Sequence, residues 1–281
     1  MNTDPIVSPG WLAEHINTPD LRIIDATWFL PGDPRNAKAL YETRRIPGAI
    51  FFDIDEISDT DSSLPHMLPS PEKFASRMKR LGIGDGCRIV VYDGQGLFSA
   101  ARVWWTFRVM GHEDITVLDG GFPAWERGGY EIETGPPQHR MERHFTARMR
   151  SDLVRDLADM RRAVEGGASI LDARPAPRFR GEAPEPRAGL KSGHMPGAKS
   201  VPSSSLVNEN GQLRSADELR AIFAGAGADP AKPALCTCGS GITAAIIALA
   251  LARLRRWDAA VYDGSWAEWG SRDDTPIALD T

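Results

Sequence analysis

The chain has 281 residues, 42% of them hydrophobic, and a formal net charge of −5. That length is about twice the common domain size, so two domains are expected, and the mild acidity offers nothing to a nucleic-acid backbone. The longest apolar run, Ile242 to Leu251, is far too short to cross a bilayer.

The opening Met1-Asn-Thr-Asp-Pro-Ile6 has neither a basic nor an apolar leader pattern, so a cytoplasmic protein is expected. Leu21 to Ala26 reads as a short strand carrying Asp25, followed by an irregular stretch to Asp33-Pro34. Arg45-Ile-Pro47-Gly48-Ala49 leads into a second strand, Ile50 to Asp53, and Asp55 and His66 fall in the polar loop after it. Ser70 followed by Pro71 is a helix start, and that helix runs to about Leu81 before Gly82 stops it. Arg88 to Asp93 is the next strand, Ala100 to Phe107 a helix, Ile115 to Leu118 a strand, and Trp125 closes the half. From Thr134-Gly-Pro-Pro137 to Arg150 the periodic pattern gives way to Pro, Gly and basic residues. Residues 134–150 are expected to link a domain over 1–133 to one over 151–281.

The second half repeats the first. Ile170-Leu-Asp172-Ala173 answers Ile23-Ile-Asp25-Ala26 at a spacing of 147, and Met195-Pro196-Gly197-Ala198 answers Ile46-Pro47-Gly48-Ala49 at 149. Asp263-Gly264 and Trp269 answer Asp119-Gly120 and Trp125 at 144. Four marks at one near-constant spacing identify a duplication. Strands alternating with helices predict an α/β fold, each copy a mostly parallel sheet with helices on both faces and its ligand site beyond the carboxyl ends of the strands. The first copy has Asp93 where the second has Cys238, so it keeps the scaffold without the thiol and is expected to supply one wall of a cleft between the domains.

Ala234 to Cys236 reads as a short buried strand, and Ile242 to Arg253 as an apolar helix. Cys238 therefore stands at a strand-to-helix turn, where Gly239, Ser240 and Gly241 let several amide N–H groups converge on its sulfur. A thiol of ordinary acidity is only a few per cent ionised at neutral pH, and a helix N-terminus with a ring of amides favours the thiolate. A buried inert cysteine would not need two glycines and a serine after it. Cysteine phosphatases place an arginine six residues after their cysteine to clamp phosphate, whereas this chain has Ala244 there. With no charge between Gly239 and Thr243, the loop suits a persulfide or a small neutral group better than a phosphate dianion.

Cys87, Cys236 and Cys238 cannot form a disulfide framework, and the Cys-x-Cys pair lacks the further ligands that zinc requires, so no metal and no cofactor are expected and Cys236 reads as a core residue. Arg178 and Arg187 follow the Ile170 to Asp172 strand and lie on the same rim as Cys238, where two guanidinium groups can grip a carboxylate; the alternative is a pair of solvated arginines balanced by Glu182 and Glu185. Arg180 points away from Arg178 if the segment is extended. An Asp, a His and a Ser can form a proton relay, which makes Asp55, His66 and Ser240 candidates.

With the Cys238-Gly-Ser-Gly-Ile-Thr243 loop, the Arg178 to Arg187 segment, both Pro-Gly-Ala marks and the closing Tyr262-Asp-Gly-Ser-Trp-Ala-Glu-Trp269, the chain resembles the two-domain rhodanese superfamily over essentially its whole length, and within it the 3-mercaptopyruvate sulfurtransferases. The resemblance implies that Cys238 takes the sulfur inside a loop of Gly239, Gly241, Ile242 and Thr243, that Arg178 and Arg187 hold the substrate, and that Ser240, His66 and Asp55 move protons. It also implies a small sulfur donor and an acceptor that is thioredoxin, a small thiol or cyanide, with no nucleic acid or membrane involved. Thiosulfate sulfurtransferases of the superfamily carry charged residues after the cysteine and tend to lack the second arginine, so thiosulfate is the alternative donor. A non-catalytic binding module is a third reading, against which the intact Cys238 loop speaks. Arg45 replaces the histidine usual before the first Pro-Gly-Ala, a change at a structural turn, and Cys236 is a less usual neighbour.

Overall fold

The computed structural model describes residues 4–138 and 140–279, which form two compact units. The first comprises the described residues of 1–60, 68–150 and 209–213, and the second those of 61–67, 151–208 and 214–281.

In the first unit the elements are β1 (Ile6–Val7), α1 (Pro9–His15), β2 (Leu21–Asp25), α2 (Ala37–Thr43), β3 (Ile50–Phe51), α3 (Ile54–Ile57), α4 (Pro71–Arg80), β4 (Arg88–Tyr92), α5 (Ala100–Val109), β5 (Ile115–Leu118) and α6 (Gly121–Arg127). The five strands are all parallel, in the order β1-β5-β4-β2-β3. β2 is buried at every position and β4 at all but Arg88 because the sheet is covered on both faces. Ser70 caps α4 by accepting the N–H of Lys73, with Pro71 at the first position, and the helix ends one residue before Leu81, as its sequence predicts. Gly82 then turns at φ +70°, and a Cβ there would lie 2.8 Å from both Arg140 Cβ and the carbonyl of Met141.

That contact belongs to the 134–150 stretch, which packs along the first unit. Arg148 and Arg150 donate backbone N–H groups to Met110 and Val109, and Asp85 receives the N–H and hydroxyl of Thr146. Phe145 joins Phe74 and Phe107 in the core, its ring centroid 5.5 and 6.0 Å from theirs.

The second unit repeats the plan with β6 (Val154–Arg155), α7 (Leu157–Glu165), β7 (Ile170–Asp172), α8 (Ala176–Phe179), β8 (Lys199–Ser200), α9 (Ala216–Gly225), β9 (Leu235–Thr237), α10 (Ala244–Arg253), β10 (Ala260–Tyr262) and α11 (Ser265–Trp269). Its sheet order, β6-β10-β9-β7-β8, is that of the first sheet, again all parallel. Asp25 pairs with Tyr92 in one register and Asp172 with Thr237 in the other, so the residues that follow, Asp93 and Cys238, occupy matching strand ends. α10 is buried from Ala244 to Ala252, and only Ala, Ile and Leu fill that span, with Arg253 closing the helix at its less buried end.

Three details differ from the sequence expectation. α10 begins at Ala244 rather than Ile242, because Ile242 and Thr243 form a tighter turn with i to i+3 bonds to Ala245 and Ile246. The Ile50 to Asp53 run is a strand only to Phe51, since Asp53 caps α3 by accepting the N–H groups of Asp55 and Glu56, each at 3.1 Å. Asp55 is therefore helical and not in a loop. Arg178 lies in α8, a short helix opened by Pro175 and Pro177, where an extended segment had been the premise for Arg180.

Candidate active site

β9 delivers Cys238 to the carboxyl edge of the second sheet, and Gly241, at φ +81°, folds the chain back over it. The Gly241 N–H donates to Cys238 Sγ at 3.1 Å. The loop is held from the other side by the start of α11. There Trp266 and Ala267 donate their N–H groups to the carbonyls of Cys238 and Gly239, both at 2.9 Å, and Cys238's own N–H reaches Ser265 Oγ at 3.3 Å. Cys238, Ser240 and Ile242 are buried, with Gly239 and Thr243 at the partly open edge. The sulfur thus sits at a buried strand-to-helix turn ahead of an apolar helix, with the Gly241 amide donating to it.

A chain of four charged side chains leads from the sheet to this loop. Asp172, at the end of β7, accepts Arg174 Nε at both oxygens (3.1 and 3.0 Å) and Nη2 at 2.7 Å. Arg174 also donates to the carbonyl of Gly193, lies 4.1 Å over the Trp266 ring, and gives Nη1 to Glu185 Oε1 at 2.7 Å. Burial works against the charge on Arg174, yet Asp172 and Glu185 together hold its guanidinium above the ordinary range. Glu185 Oε2 in turn accepts Arg178 Nε at 3.2 Å and Nη2 in a closer contact. Arg178 Nη2 would be 3.1 Å from a Cβ built on Gly239, so this guanidinium packs directly on the cysteine loop.

Arg174 and Glu185 were not singled out by sequence reasoning. Glu185 had the weight only of a solvated counter-charge, whereas its side chain is 1% exposed. The available signal was Asp172-Ala-Arg174, an arginine two residues past a strand-end aspartate, where the first copy has Asp25-Ala-Thr27. Arg180 pairs with Glu182 at two 2.7 Å contacts on the exposed side. Arg187 is half-buried in the segment between α8 and β8.

Of the relay candidates, His66 and Ser240 belong to the second unit and both are buried, His66 in the left-handed region at φ +60°. Asp55 belongs to the first unit, where its carboxylate accepts the indole N–H of Trp28 at 2.9 Å. Cys236 is fully buried inside β9, and burial, with a smaller push from Cys238, raises its thiol far above the ordinary range, so it is a neutral core residue. Among the described residues no three His, Cys, Asp or Glu side chains stand close enough together to hold a metal.

In the first unit the matching strand-to-helix loop is filled by its own side chain. Asp93 Oδ2 accepts the N–H groups of Phe98, Ser99 and Ala100 at 2.8–2.9 Å, and Oδ1 that of Gln95 at 2.9 Å.

The molecule is a tandem α/β architecture of two like parallel sheets with a cysteine at the strand-to-helix turn of the second, and the rhodanese-like domain model matches residues 8–127 and 155–272. The chain belongs to the rhodanese family. It is 46% identical over 279 residues, 99% of each chain, to a 3-mercaptopyruvate sulfurtransferase of Escherichia coli strain K12. A thiosulfate sulfurtransferase of Rattus norvegicus is 42% identical over 275 residues, covering 95% of this chain and 92% of the relative. The crystal structure of SseA from Escherichia coli, described as showing the rhodanese fold and catalytic mechanism of 3-mercaptopyruvate sulfotransferases, superposes with a TM-score of 0.86 at 44% identity, over 94% of this chain and 99% of that one.

Proposed function

We propose that the chain is a 3-mercaptopyruvate sulfurtransferase working by double displacement at Cys238. The observation that carries the reading is the packing of the Arg178 guanidinium on an uncharged cysteine loop whose Gly241 amide already donates to the sulfur. One element of the site binds a carboxylate and the other holds an electron-rich sulfur without a second charge, which suits an α-keto acid thiol as donor.

The Cys238 thiolate attacks the sulfur of 3-mercaptopyruvate. The new S–S bond forms as the C–S bond breaks, its electron pair leaves on carbon as the enolate of pyruvate, and a proton taken up at that carbon completes pyruvate. Cys238 is left as a persulfide, whose electron-rich sulfur the loop amides favour. An acceptor thiolate or cyanide then attacks the outer sulfur and regenerates the Cys238 thiolate, giving ping-pong kinetics. Arg178 and Arg187 orient the substrate carboxylate and carbonyl. Ser240, His66 and Asp55 carry the proton traffic on the strength of the family resemblance, and each can be tested by substitution. A reducing compartment, the cytoplasm, suits this chemistry, since Cys87, Cys236 and Cys238 are all free thiols.

The deciding experiment is intact-mass measurement after adding 3-mercaptopyruvate without acceptor. One added sulfur located on Cys238 is expected, and a donor-treated protein of unchanged mass overturns the mechanism. Thiosulfate is the second reading because a relative of that name is 42% identical. A higher kcat/KM for thiosulfate than for 3-mercaptopyruvate would establish it in place of the first.

A further inference from the structure

We propose that Glu185, backed by Arg174, is a positioning residue that fixes Arg178 over the Cys238 loop. The proposal rests on the reading of Arg178 as the substrate clamp and adds what holds that clamp in place.

An arginine on a short helix at a protein edge has many rotamers, and its fork grips a carboxylate well only if most of them are removed beforehand. Here Glu185 removes them. Its carboxylate is 1% exposed, and its two oxygens are divided between Arg174 Nη1 at 2.7 Å and the Nε and Nη2 of Arg178. Glu185 cannot swing to follow Arg178, because Arg174 is itself fixed by Asp172, by the Gly193 carbonyl and by the face of Trp266. With Nε and Nη2 turned to Glu185, the Nη1 side of the fork remains for an α-keto carboxylate.

The internal duplication separates this role from a scaffold role. Arg174 and Thr27 occupy the same place in the two copies: each donates its N–H at 2.9 Å to Oδ1 of the strand-end aspartate two residues before it, Asp172 or Asp25. The copy without a thiol makes the same turn and the same sheet with a threonine there. The fold therefore does not require the arginine, and the arginine with its buried glutamate is found in the copy that carries Cys238.

Charge and geometry predict opposite effects, which makes the proposal testable. Asp172, Arg174, Glu185 and Arg178 sum to zero. Replacing Glu185 by glutamine adds net positive charge beside the loop, which by attraction alone would lower KM for an anionic substrate. Loss of positioning raises it.

In Glu185→Gln we expect KM for 3-mercaptopyruvate to rise about tenfold with kcat changed less than about threefold, and the alkylation rate of Cys238 by neutral iodoacetamide to stay as it was. In an Arg178→Ala background, adding Glu185→Gln should leave kcat/KM where Arg178→Ala put it, since there is no guanidinium left to position. An unchanged or lowered KM in Glu185→Gln overturns the proposal, as does a further loss in the Arg178→Ala background. Wild-type kinetics in Arg178→Ala would overturn the clamp reading and this proposal with it, whereas a raised KM there beside an unchanged KM in Glu185→Gln overturns the positioning alone. Should Glu185→Gln not fold, Glu185→Asp keeps the charge beside Arg174 and draws the carboxylate back by one carbon. KM must still rise, and an unchanged KM in Glu185→Asp refutes the proposal.

Discussion

The Gly241 amide donates its hydrogen to the sulfur of Cys238 across 3.1 Å, from a backbone held at φ +81°. A positive φ at that position strains any residue but glycine, and the glycine is what lets the amide face inward rather than toward solvent.

Cys238→Ser should abolish sulfur transfer with the fold retained, because the smaller hydroxyl is not ionised and cannot hold a sulfane sulfur. Sulfur transfer by a pure Cys238→Ser sample would sink the assignment. Cys236→Ser should keep most activity, as the Cys236 thiol is buried inside β9 and held in its neutral form. A loss of turnover matching that of Cys238→Ser would show that the two sulfurs act together.

Removing either arginine should affect one donor class only. Arg178→Ala and Arg187→Ala each leave a substrate carboxylate short of a charged partner, a loss on the order of 1.5–3 kcal/mol, or about ten- to a hundredfold in kcat/KM for 3-mercaptopyruvate. Iodoacetamide, which carries no carboxylate, should alkylate Cys238 in Arg187→Ala at the parent rate. Equal slowing toward both reagents would mean that the arginines tune the sulfur rather than hold the substrate.

Gly239→Ala is expected to act through Arg178. The added methyl would sit 3.1 Å from Nη2 of a guanidinium that Glu185 keeps from moving away, so the fork is displaced by a few tenths of an ångström. KM for 3-mercaptopyruvate should rise severalfold. If Gly239→Ala lowers the iodoacetamide rate and leaves KM alone, the methyl is acting on the sulfur instead.

Asp25 gives the first unit a pH-dependent cost. Burial pushes its carboxyl up to about 6 against the hydrogen bonds from Thr27, with Asp93 nearby adding to the rise. In the unfolded chain the same group titrates near 4, so the folded chain binds the extra proton between those values. Stability from this group is therefore full below about pH 4 and is lost as pH climbs through 6, a change of about 3 kcal/mol. Asp25→Asn copies the neutral form and can still accept from Thr27. It should match the parent near pH 4 and exceed it by up to that amount above about pH 7, as read by urea unfolding at both. A pH-independent difference between the two proteins would be falsifying.

The sheets, their order of strands and helices, and the Cys238 loop are legible in the sequence because burial on both faces imposes long apolar runs, and because two copies mark each other. Less is visible where no period can form. β1 and β6 span two residues each, and α3 four, starting from a cap that reads equally well as the end of a strand. The link from Asp172 to Arg178 is hidden for another reason. Glu185 lies eleven residues from Arg174 and seven from Arg178, but Pro175, Pro177, Pro184 and Pro186 break any helix that could carry such a face, and only the folded turn around the short α8 brings the three together.

Asp93 gives the duplicated loop a second significance. An aspartate side chain and a cysteine persulfide both end two atoms beyond Cβ, in an atom rich in electrons. With Asp93 Oδ2 received by the amides of Phe98, Ser99 and Ala100, the first copy satisfies from its own side chain the loop amides that in the second copy face the place where a transferred sulfur would end.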